Sequence, residues 1–228
     1  MCPTGRNNPA TDRAGPTLVG PVVVLPQQSP VTDALSHLRA HREAVLIADG
    51  AASSVRLVQG RAGLAFPATP VIIAAEELTL FLPREDPADE DELQLMLSAT
   101  ELDASDAAAD RWQAYHGRPP LNRFAACTID GARFKGRVVD HEILNQPNPI
   151  AAAEPRLCKL LNADRGRLAT VCKLIAGIAP ADPVAVGIDD LGIDIRARLG
   201  IIRLPFRDPA PTAAQAESRI AALFGRPA

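Results

Sequence analysis

Three basic residues and a histidine follow one another closely in the middle of the chain. Arg133, Lys135 and Arg137 occupy every second position, and His141 comes four residues later. Because the side chains of a strand point alternately to opposite faces, this spacing predicts a basic stripe along one strand face. Such a stripe can bind the phosphate of a flavin or the propionates of haem, with His141 as the candidate iron ligand. The alternative is a solvated outer face of a barrel strand.

The other three histidines have weaker metal-binding patterns. His37 and His41 lie one helical turn apart, a spacing that can hold one metal ion or flank a haem. No third ligand follows nearby, which favours half-exposed polar side chains instead. His116 comes one turn after Trp112, where we expect a helix to end and a cation to meet the favourable end of its dipole.

Asp164 interrupts an otherwise apolar pattern. The segment LLNADRGRLATVC belongs to a stretch that predicts one long amphipathic helix over residues 156–178, and Asp164 falls within its apolar arc. A buried carboxylate needs a partner, so we expect Asp164 to accept backbone hydrogen bonds or to pair with Arg165 or Arg167. Together with Asn162 it is predicted to be structural. The competing hypothesis is an acid with a shifted pKa.

Composition excludes several classes of function. The net charge is −3 over 228 residues and there is no long basic tract, so nucleic acid and anionic membranes are not expected partners. No apolar run approaches the roughly 18 residues that span a bilayer. The first residues lack the order of a signal peptide, and the four cysteines show no CxxC spacing. We therefore expect a cytoplasmic protein.

The first two thirds of the chain predict a leader and a barrel-like domain. Residues 1–30 are expected to form a flexible leader, and residues 31–145 a split-barrel-like domain. Its predicted elements are a helix capped by Thr32, strands over AVLIADG, SSVRLVQG and ELTLFLP, a helix over DEDELQLMLSA, and a helix over residues 103–116. In FAACTIDGARFKGRVVD, the dipeptide Asp130-Gly131 predicts a hairpin turn.

The last third predicts a small domain over residues 155–226. After the linker NQPNPIAAAEP, the long helix is followed by three strands, VAVGI, GIDIRAR and GIIRLPF. In the second strand Asp194 and Arg196 alternate with isoleucines, which predicts a half-exposed antiparallel strand. Thr212 and Gln215 form a capping box before a final helix. The predicted order is α-β-β-β-α.

The last third resembles the C-terminal domain of HugZ-like haem-utilisation proteins, in which a flavin-reductase-type split barrel precedes an α-β-β-β-α domain. The residues that carry the resemblance are LNAD and VGIDDLGIDIRARLGIIRLPF. It implies an α+β fold, homodimerisation, and haem binding, haem breakdown or flavin chemistry. Two features depart from the family: Arg165 stands where a histidine commonly follows the aspartate, and the tail FGRPA lacks the histidine that some haem-degrading members supply.

Three functional hypotheses follow from these observations. The first is a haem-binding or haem-handling protein of iron metabolism, and the second is a flavin- or deazaflavin-dependent oxidoreductase. The third is a cofactor-free dimeric interaction or regulatory module, which the departures from the family favour. Whether the chain is an enzyme stays open, because no self-sufficient catalytic motif such as GxSxG or HExxH occurs.

Overall fold

A strongly curled antiparallel sheet and a separate three-stranded sheet dominate the computed structural model, which describes residues 30–60, 63–83, 92–103 and 105–225. The chain therefore has the predicted α+β, split-barrel-like fold. The predicted leader lies outside the described residues except for Pro30, and so does the acidic run up to residue 91. None of the helices in the described part is long and apolar enough to cross a bilayer.

The first part of the chain builds the curled sheet and the helices around it. Its elements are α1 (Pro30–Ala40), β1 (Glu43–Ala48), β2 (Ala51–Arg56), β3 (Val58–Gly60), β4 (Gly63–Pro67), α2 (Pro70–Ile73), β5 (Leu78–Leu82), β6 (Leu93–Leu102), α3 (Ala107–His116), β7 (Phe124–Phe134), β8 (Arg137–Val139) and α4 (His141–Leu144). The strand order is β2-β1-β5-β6-β7-β4-β3, with β8 also paired to β7. Residues of β2 approach β4, so the sheet curls into a half-barrel.

Every second side chain along the strands points into the interior of this half-barrel and fills it. Leu46, Leu80 and Leu95 are fully buried, and the residues on either side of each point outward. Leu38 of α1 packs into the same core. The helix begins at Pro30 within the described residues, so Thr32 lies in its first turn and the predicted cap at Thr32 is wrong.

The predicted helix over DEDELQLMLSA is wrong, because its described part forms β6. Leu93, Leu95 and Leu97 are buried, whereas Gln94 and Met96 face outward. This is the period of two that a strand requires. The acidic residues at the start of the segment favour a helix N-terminus, but the alternation of buried and outward-facing residues that follows them decides the structure.

The predicted hairpin at Asp130-Gly131 is also wrong. Met96 of β6 pairs with Gly131 and Leu97 pairs with Ile129, so Asp130 is the extra residue of a β-bulge inside the continuous strand β7. The turn comes later, at Lys135 and Gly136, whose φ angles of 51° and 72° suit a two-residue hairpin. The predicted turn is therefore displaced by five residues along the chain.

The last part of the chain has the predicted three strands between helices, but two helices precede the strands where one was predicted. Its elements are α5 (Glu154–Asn162), α6 (Arg165–Ala176), β9 (Val184–Asp189), β10 (Gly192–Ala197), β11 (Gly200–Pro205) and α7 (Ala213–Gly225). The strands form an antiparallel sheet in the order β11-β10-β9. The backbone N–H of Gln215 donates to the hydroxyl of Thr212, and the two side chains meet at 3.0 Å, so the capping box is confirmed.

The single helix predicted over residues 156–178 is wrong, since it breaks into α5 and α6. Asp164 lies between them as the N-cap of α6, and its carboxylate accepts a hydrogen bond of 2.9 Å from the backbone N–H of Arg167. Asp164 is exposed, so its predicted burial in the apolar arc is wrong as well. The break allows a short polar side chain to satisfy helix-end donors, which explains a carboxylate at this position.

Asn162 joins α5 to the neighbouring sheet. Its amide donates 2.9 Å to the carbonyl of Ala185 and accepts 2.8 Å from the N–H of the same residue. These two bonds continue the backbone pairing of β9 on its outer side, where no other strand of the described residues pairs with it. The structural role of Asn162 stays a prediction, for which these two bonds are the physical basis.

Candidate functional site

A cluster of buried charges lies where the half-barrel meets the three-stranded sheet. At its centre, the Asp194 carboxylate on β10 is only 2% exposed and accepts three hydrogen bonds. The donors are Arg42 at 2.6 Å, Tyr115 at 2.8 Å and Arg203 at 3.0 Å. Arg42 belongs to the turn between α1 and β1, and Tyr115 belongs to α3. One carboxylate therefore joins three elements that are distant in sequence.

The turn between β9 and β10 extends this cluster. The Asp189 carboxylate accepts hydrogen bonds from the backbone N–H groups of Leu191 and Gly192 and from Arg203 at 2.5 Å. Arg39 of α1, itself 2% exposed, pairs with Asp190. The conspicuous GIDDLGID segment thus supplies acidic partners for arginines of the half-barrel.

A third group of contacts ties α3 to the start of α5. Arg111 donates 2.6 Å to Glu154 and 3.0 Å to the hydroxyl of Tyr115. A Cβ atom at Gly187 would lie 1.7 Å from that hydroxyl, so only glycine fits beside Tyr115. The first glycine of the GIDDLGID segment is therefore required because the Tyr115 side chain packs directly against its backbone, and not because it forms a phosphate-binding turn.

The electrostatics of the cluster favour a fully charged state. Burial by itself disfavours the charged carboxylate, but the charges of Arg42 and Arg203 outweigh burial and lower the pKa of Asp194 to about 2. Four arginines and four acidic residues pair within the cluster, namely Arg39, Arg42, Arg111, Arg203, Glu154, Asp189, Asp190 and Asp194. Because each charge is paired with an opposite one, we interpret the cluster as joining the two parts of the chain and not as a site of acid–base chemistry.

Beside this cluster opens a cavity of about 710 Å³, which we term the arginine cleft. It is enclosed by the end of α1 and the start of β1, by the end of α3, and by residues 196–201 at the tip of the β10–β11 hairpin. Its volume falls within the range of small-molecule and cofactor sites. The charged side chains that line it are Arg42, Glu43, Arg56, Arg196 and Arg198.

The arginines of this cleft differ in how they are neutralised. Arg42 pairs with Asp194 at 2.6 Å, and Arg56 pairs with Glu43 at 3.0 Å. Arg196 donates 2.6 Å to the carbonyl of Ala114, and neither it nor Arg198 forms an ion pair with any residue that the structure describes. The hairpin side of the cleft therefore presents positive charge to an anionic ligand.

Two histidines also line the arginine cleft. Nδ1 of His41 lies 2.8 Å from the carbonyl oxygen of His37, which requires the proton on Nδ1 and leaves the lone pair of a neutral ring on Nε2. His116 places Nε2 3.2 Å from the carbonyl of Leu57. Burial lowers the pKa of His116 to about 4, so the ring is neutral near pH 7. The predicted cationic cap at His116 is therefore wrong.

The predicted basic stripe has a different geometry from the one expected. Arg133 lies on the outer face of β7, Lys135 lies in the following turn, and Arg137 lies on β8 opposite Phe134. All three are exposed, but they do not share one strand face, because the turn falls between them. His141 is half-buried at the start of α4. None of these four residues lines the arginine cleft, and their predicted binding of a cofactor stays a prediction.

The remaining predicted ligands are placed as follows. The rings of His37 and His41 lie 4.2 Å apart, and Nε2 of His37 faces the carbonyl of Leu82 at 3.2 Å. Both histidines are half-buried. Within the described ranges, no three His, Cys, Asp or Glu side chains form a group able to hold a metal ion. A haem iron needs only one protein ligand, so this finding bears on metal-ion sites alone.

Sequence reasoning missed the buried cluster and the arginine cleft. Asp194 was predicted to lie on the exposed side of its strand, but the half-barrel covers that side and Asp194 is buried. The segment GIDDLGID gave no signal of burial, because Asp and Gly are ordinary residues of solvent-facing turns. The arginine partners of its aspartates, Arg39 and Arg42, lie about 150 residues earlier, and no local pattern connects such distant positions.

Comparisons with known proteins show the fold. No family model matches the chain, and no curated protein matches it. The structure is similar to that of the protein Atu2129, of unknown function, from Agrobacterium tumefaciens strain C58, with a TM-score of 0.68 and 20% identity over 89% of this chain and 100% of that one. A heme binding protein from Mycobacterium smegmatis aligns with a TM-score of 0.41 and 15% identity over 89% of this chain and 98% of that one. The first similarity, together with the strand order, shows that this arrangement of sheets and helices occurs in an experimentally determined structure.

Proposed function

We propose that the chain binds haem in the arginine cleft and serves in haem handling. The observation that carries this proposal is the composition of the cleft. Four arginines, one glutamate and two histidines line a cavity of about 710 Å³. Haem is a flat apolar ring with two carboxylates and an iron that takes an imidazole ligand. The excess positive charge of the cleft suits the carboxylates, an imidazole in its wall suits the iron, and Pro83, Leu199 and Ile201 offer apolar surface to the ring.

Each part of the ligand has a candidate partner. Arg196 and Arg198 would pair with the propionates, because within the described part of the chain they have no acidic partner. His41 would ligate the iron, since its hydrogen bond to the carbonyl of His37 leaves Nε2 with a lone pair and orients the ring. Bound haem would supply redox and oxygen chemistry. The proposal covers binding and includes no step of haem breakdown.

The basic stripe provides a competing location for the same ligand. There, Arg133, Lys135 and Arg137 would neutralise the propionates and His141 would meet the iron. A haemin titration followed at the Soret band separates the two locations when His41→Ala and His141→Ala are compared. We expect His41→Ala to change the Soret band and to weaken binding about tenfold or more, a loss of about 1.4 kcal/mol. A change confined to His141→Ala would move the site to the stripe.

A second titration, with flavin, tests the flavin and cofactor-free hypotheses. The arginines of the cleft would equally bind the phosphate of a flavin, because phosphate and carboxylate both present negatively charged oxygens that accept hydrogen bonds from arginine. Added flavin mononucleotide would then lose fluorescence on binding, and Arg198→Ala would reduce that effect. Absence of both a Soret change and flavin quenching would leave the cofactor-free interaction module.

We also propose that the chain forms a homodimer through the outer face of its sheet. Met96 and Val138 are 60% and 88% exposed, and the register places both on the outward side of β6, β7 and β8. Large exposed apolar side chains on a sheet favour association. Light scattering should give twice the mass of 24.1 kDa, and Met96→Asp should shift it toward the monomer. A monomeric parent protein at micromolar concentration would contradict the proposal.

A further inference from the structure

Two of the four arginines that line the arginine cleft are neutralised within the protein. Arg42 donates 2.6 Å to the carboxylate of Asp194, and Arg56 donates 3.0 Å to that of Glu43. A carboxylate at this distance cancels most of the attraction that its arginine would exert on a second anion. Neither arginine therefore has charge left for a ligand.

The other two arginines of the cleft, Arg196 and Arg198, lie on one side of it, on the β10–β11 hairpin. Arg196 donates 2.6 Å through Nη1 to the carbonyl of Ala114, which orients the side chain without neutralising it. A guanidinium has five N–H donors, so further donors remain for a ligand. The side chain of Arg198 is exposed and forms no ion pair with a residue that the structure describes. Within the described ranges, the cleft thus has two positive charges to spare, both on this hairpin.

Apolar surface adjoins these two charges. Leu199 follows Arg198 at the tip of the hairpin and is 94% exposed, and Ile201 and Pro83 also line the cleft. A ligand with its carboxylates on one edge and an apolar remainder fits this arrangement. A carboxylate placed away from the hairpin would meet no spare cation among the described residues, and the carboxylate of Glu43 would repel it.

We propose that the arginine cleft selects tetrapyrroles by their number of carboxylates, binding those with two on one edge and discriminating against those with four. This inference rests on the proposed binding of haem. The two propionates of haem match the two spare arginines, and the rest of its ring is uncharged. Iron coproporphyrin III has the same macrocycle and iron but carries four propionates, two of them where haem has only apolar groups. These two additional carboxylates find no spare arginine in the described part of the cleft.

The test compares haemin with iron coproporphyrin III in titrations followed at the Soret band. Because both ligands contain the same iron, its protein ligand contributes to both affinities and leaves their ratio to the carboxylates. We expect haemin to bind about tenfold or more tightly than iron coproporphyrin III. Arg198→Gln should weaken haemin binding about threefold, as expected for one exposed charge pair. Arg207→Gln is the matched control and should leave binding unchanged, because Arg207 is equally exposed but does not line the cleft.

A second variant should change the selectivity in the opposite direction. Glu43→Gln removes the acidic partner of Arg56 and so adds a third spare positive charge to the cleft. Both side chains of this pair are largely exposed, so the fold should tolerate the change. We expect the affinity ratio of haemin to iron coproporphyrin III to fall about threefold, because a third carboxylate then has a partner.

The outcomes separate this inference from the proposed function. Equal affinities for the two ligands, or tighter binding of iron coproporphyrin III, would overturn the selectivity and leave haem binding in place. A preference for haemin that stays unchanged in both Arg198→Gln and Glu43→Gln would overturn its attribution to the spare arginines. Absence of any Soret change with haemin would overturn the proposed function, and this inference with it.

Discussion

Replacing Asp194 by asparagine removes one negative charge from the buried cluster and keeps the size of the side chain. Arg42 would lose its acidic partner, which lies 2.6 Å away, whereas Arg203 would keep its bond of 2.5 Å to Asp189. Tyr115 would face an amide in place of a carboxylate. The substitution therefore leaves Arg42, 8% exposed, with a buried charge that no acidic residue of the described ranges pairs with.

The expected cost is large compared with the stability of a domain. Removing one partner of a buried ion pair typically costs about 3–5 kcal/mol, and the retained pair of Arg203 places Asp194→Asn near the lower end of that range. The pKa of Asp194 gives a separate measure. Because it is lowered from 3.8 to about 2, the charged carboxylate contributes roughly 2 kcal/mol above pH 3.8, which is lost as the pH falls toward 2. Both measures are a sizeable fraction of the roughly 5–15 kcal/mol that stabilises typical domains.

Urea unfolding of the parent and the variant measures this cost. Trp112, the chain's single tryptophan, packs with Tyr115 in the cluster of side chains that joins the two parts, so its fluorescence reports their separation. Asp208→Asn is the matched control, because Asp208 pairs with Arg219 at 3.3 Å on the surface, where a pair is worth about 0–1 kcal/mol. Equal losses in Asp194→Asn and Asp208→Asn would refute the argument that the buried cluster holds the two parts together.

Three further predictions rest on single side chains. Because burial lowers the pKa of His116 from 6.5 to about 4, the unfolded state binds the proton more readily, and stability should fall as the pH drops through that interval. The loss should be at most about 3 kcal/mol, and less than that because solvent screens a half-buried ring. His116→Gln should flatten this slope in unfolding curves, and an unchanged slope would contradict the assignment. Asp164→Ala should cost about 1 kcal/mol by chemical denaturation through loss of the α6 cap, and Asp164→Asn less; equal losses would argue against capping. Gly187→Ala should lower the melting temperature because its Cβ would overlap the Tyr115 hydroxyl, and Tyr115→Phe should recover part of the loss; additive effects would exclude the overlap.

Local patterns predicted the elements whose signals agree with one another. The three strands of the last part have clean turns between alternating runs, and Thr212 with Gln215 marks the final helix without ambiguity. The prediction failed where two signals competed. In β6 the acidic start suggested a helix, and in β7 the dipeptide Asp130-Gly131 matched a turn that the chain uses instead as a bulge.

The candidate sites depend on contacts that no local pattern contains. In the sequence, Arg42 is an ordinary polar residue between a helix and a strand. It is buried in the structure because it pairs with Asp194, which lies near the other end of the chain. The basic stripe was predicted from strand period alone, and the turn at Lys135 and Gly136 separates its members. The cleft is built from residues whose positions relative to one another depend on the docking of two sheets.

The ion pairs of Arg39 and Arg42 have a consequence for synthesis of the protein on the ribosome. Within the described part of the chain, every acidic partner of these arginines lies between Asp189 and Asp194, so none has been made when the strands of the half-barrel are complete. Synthesis proceeds at about 5–20 residues per second, so the half-barrel lacks these partners for several seconds and the two arginine side chains stay hydrated at its edge. We expect its final packing to occur only after the last third of the chain has emerged. A stalled nascent chain ending before residue 189 should therefore be more sensitive to proteolysis than one that extends past Arg203.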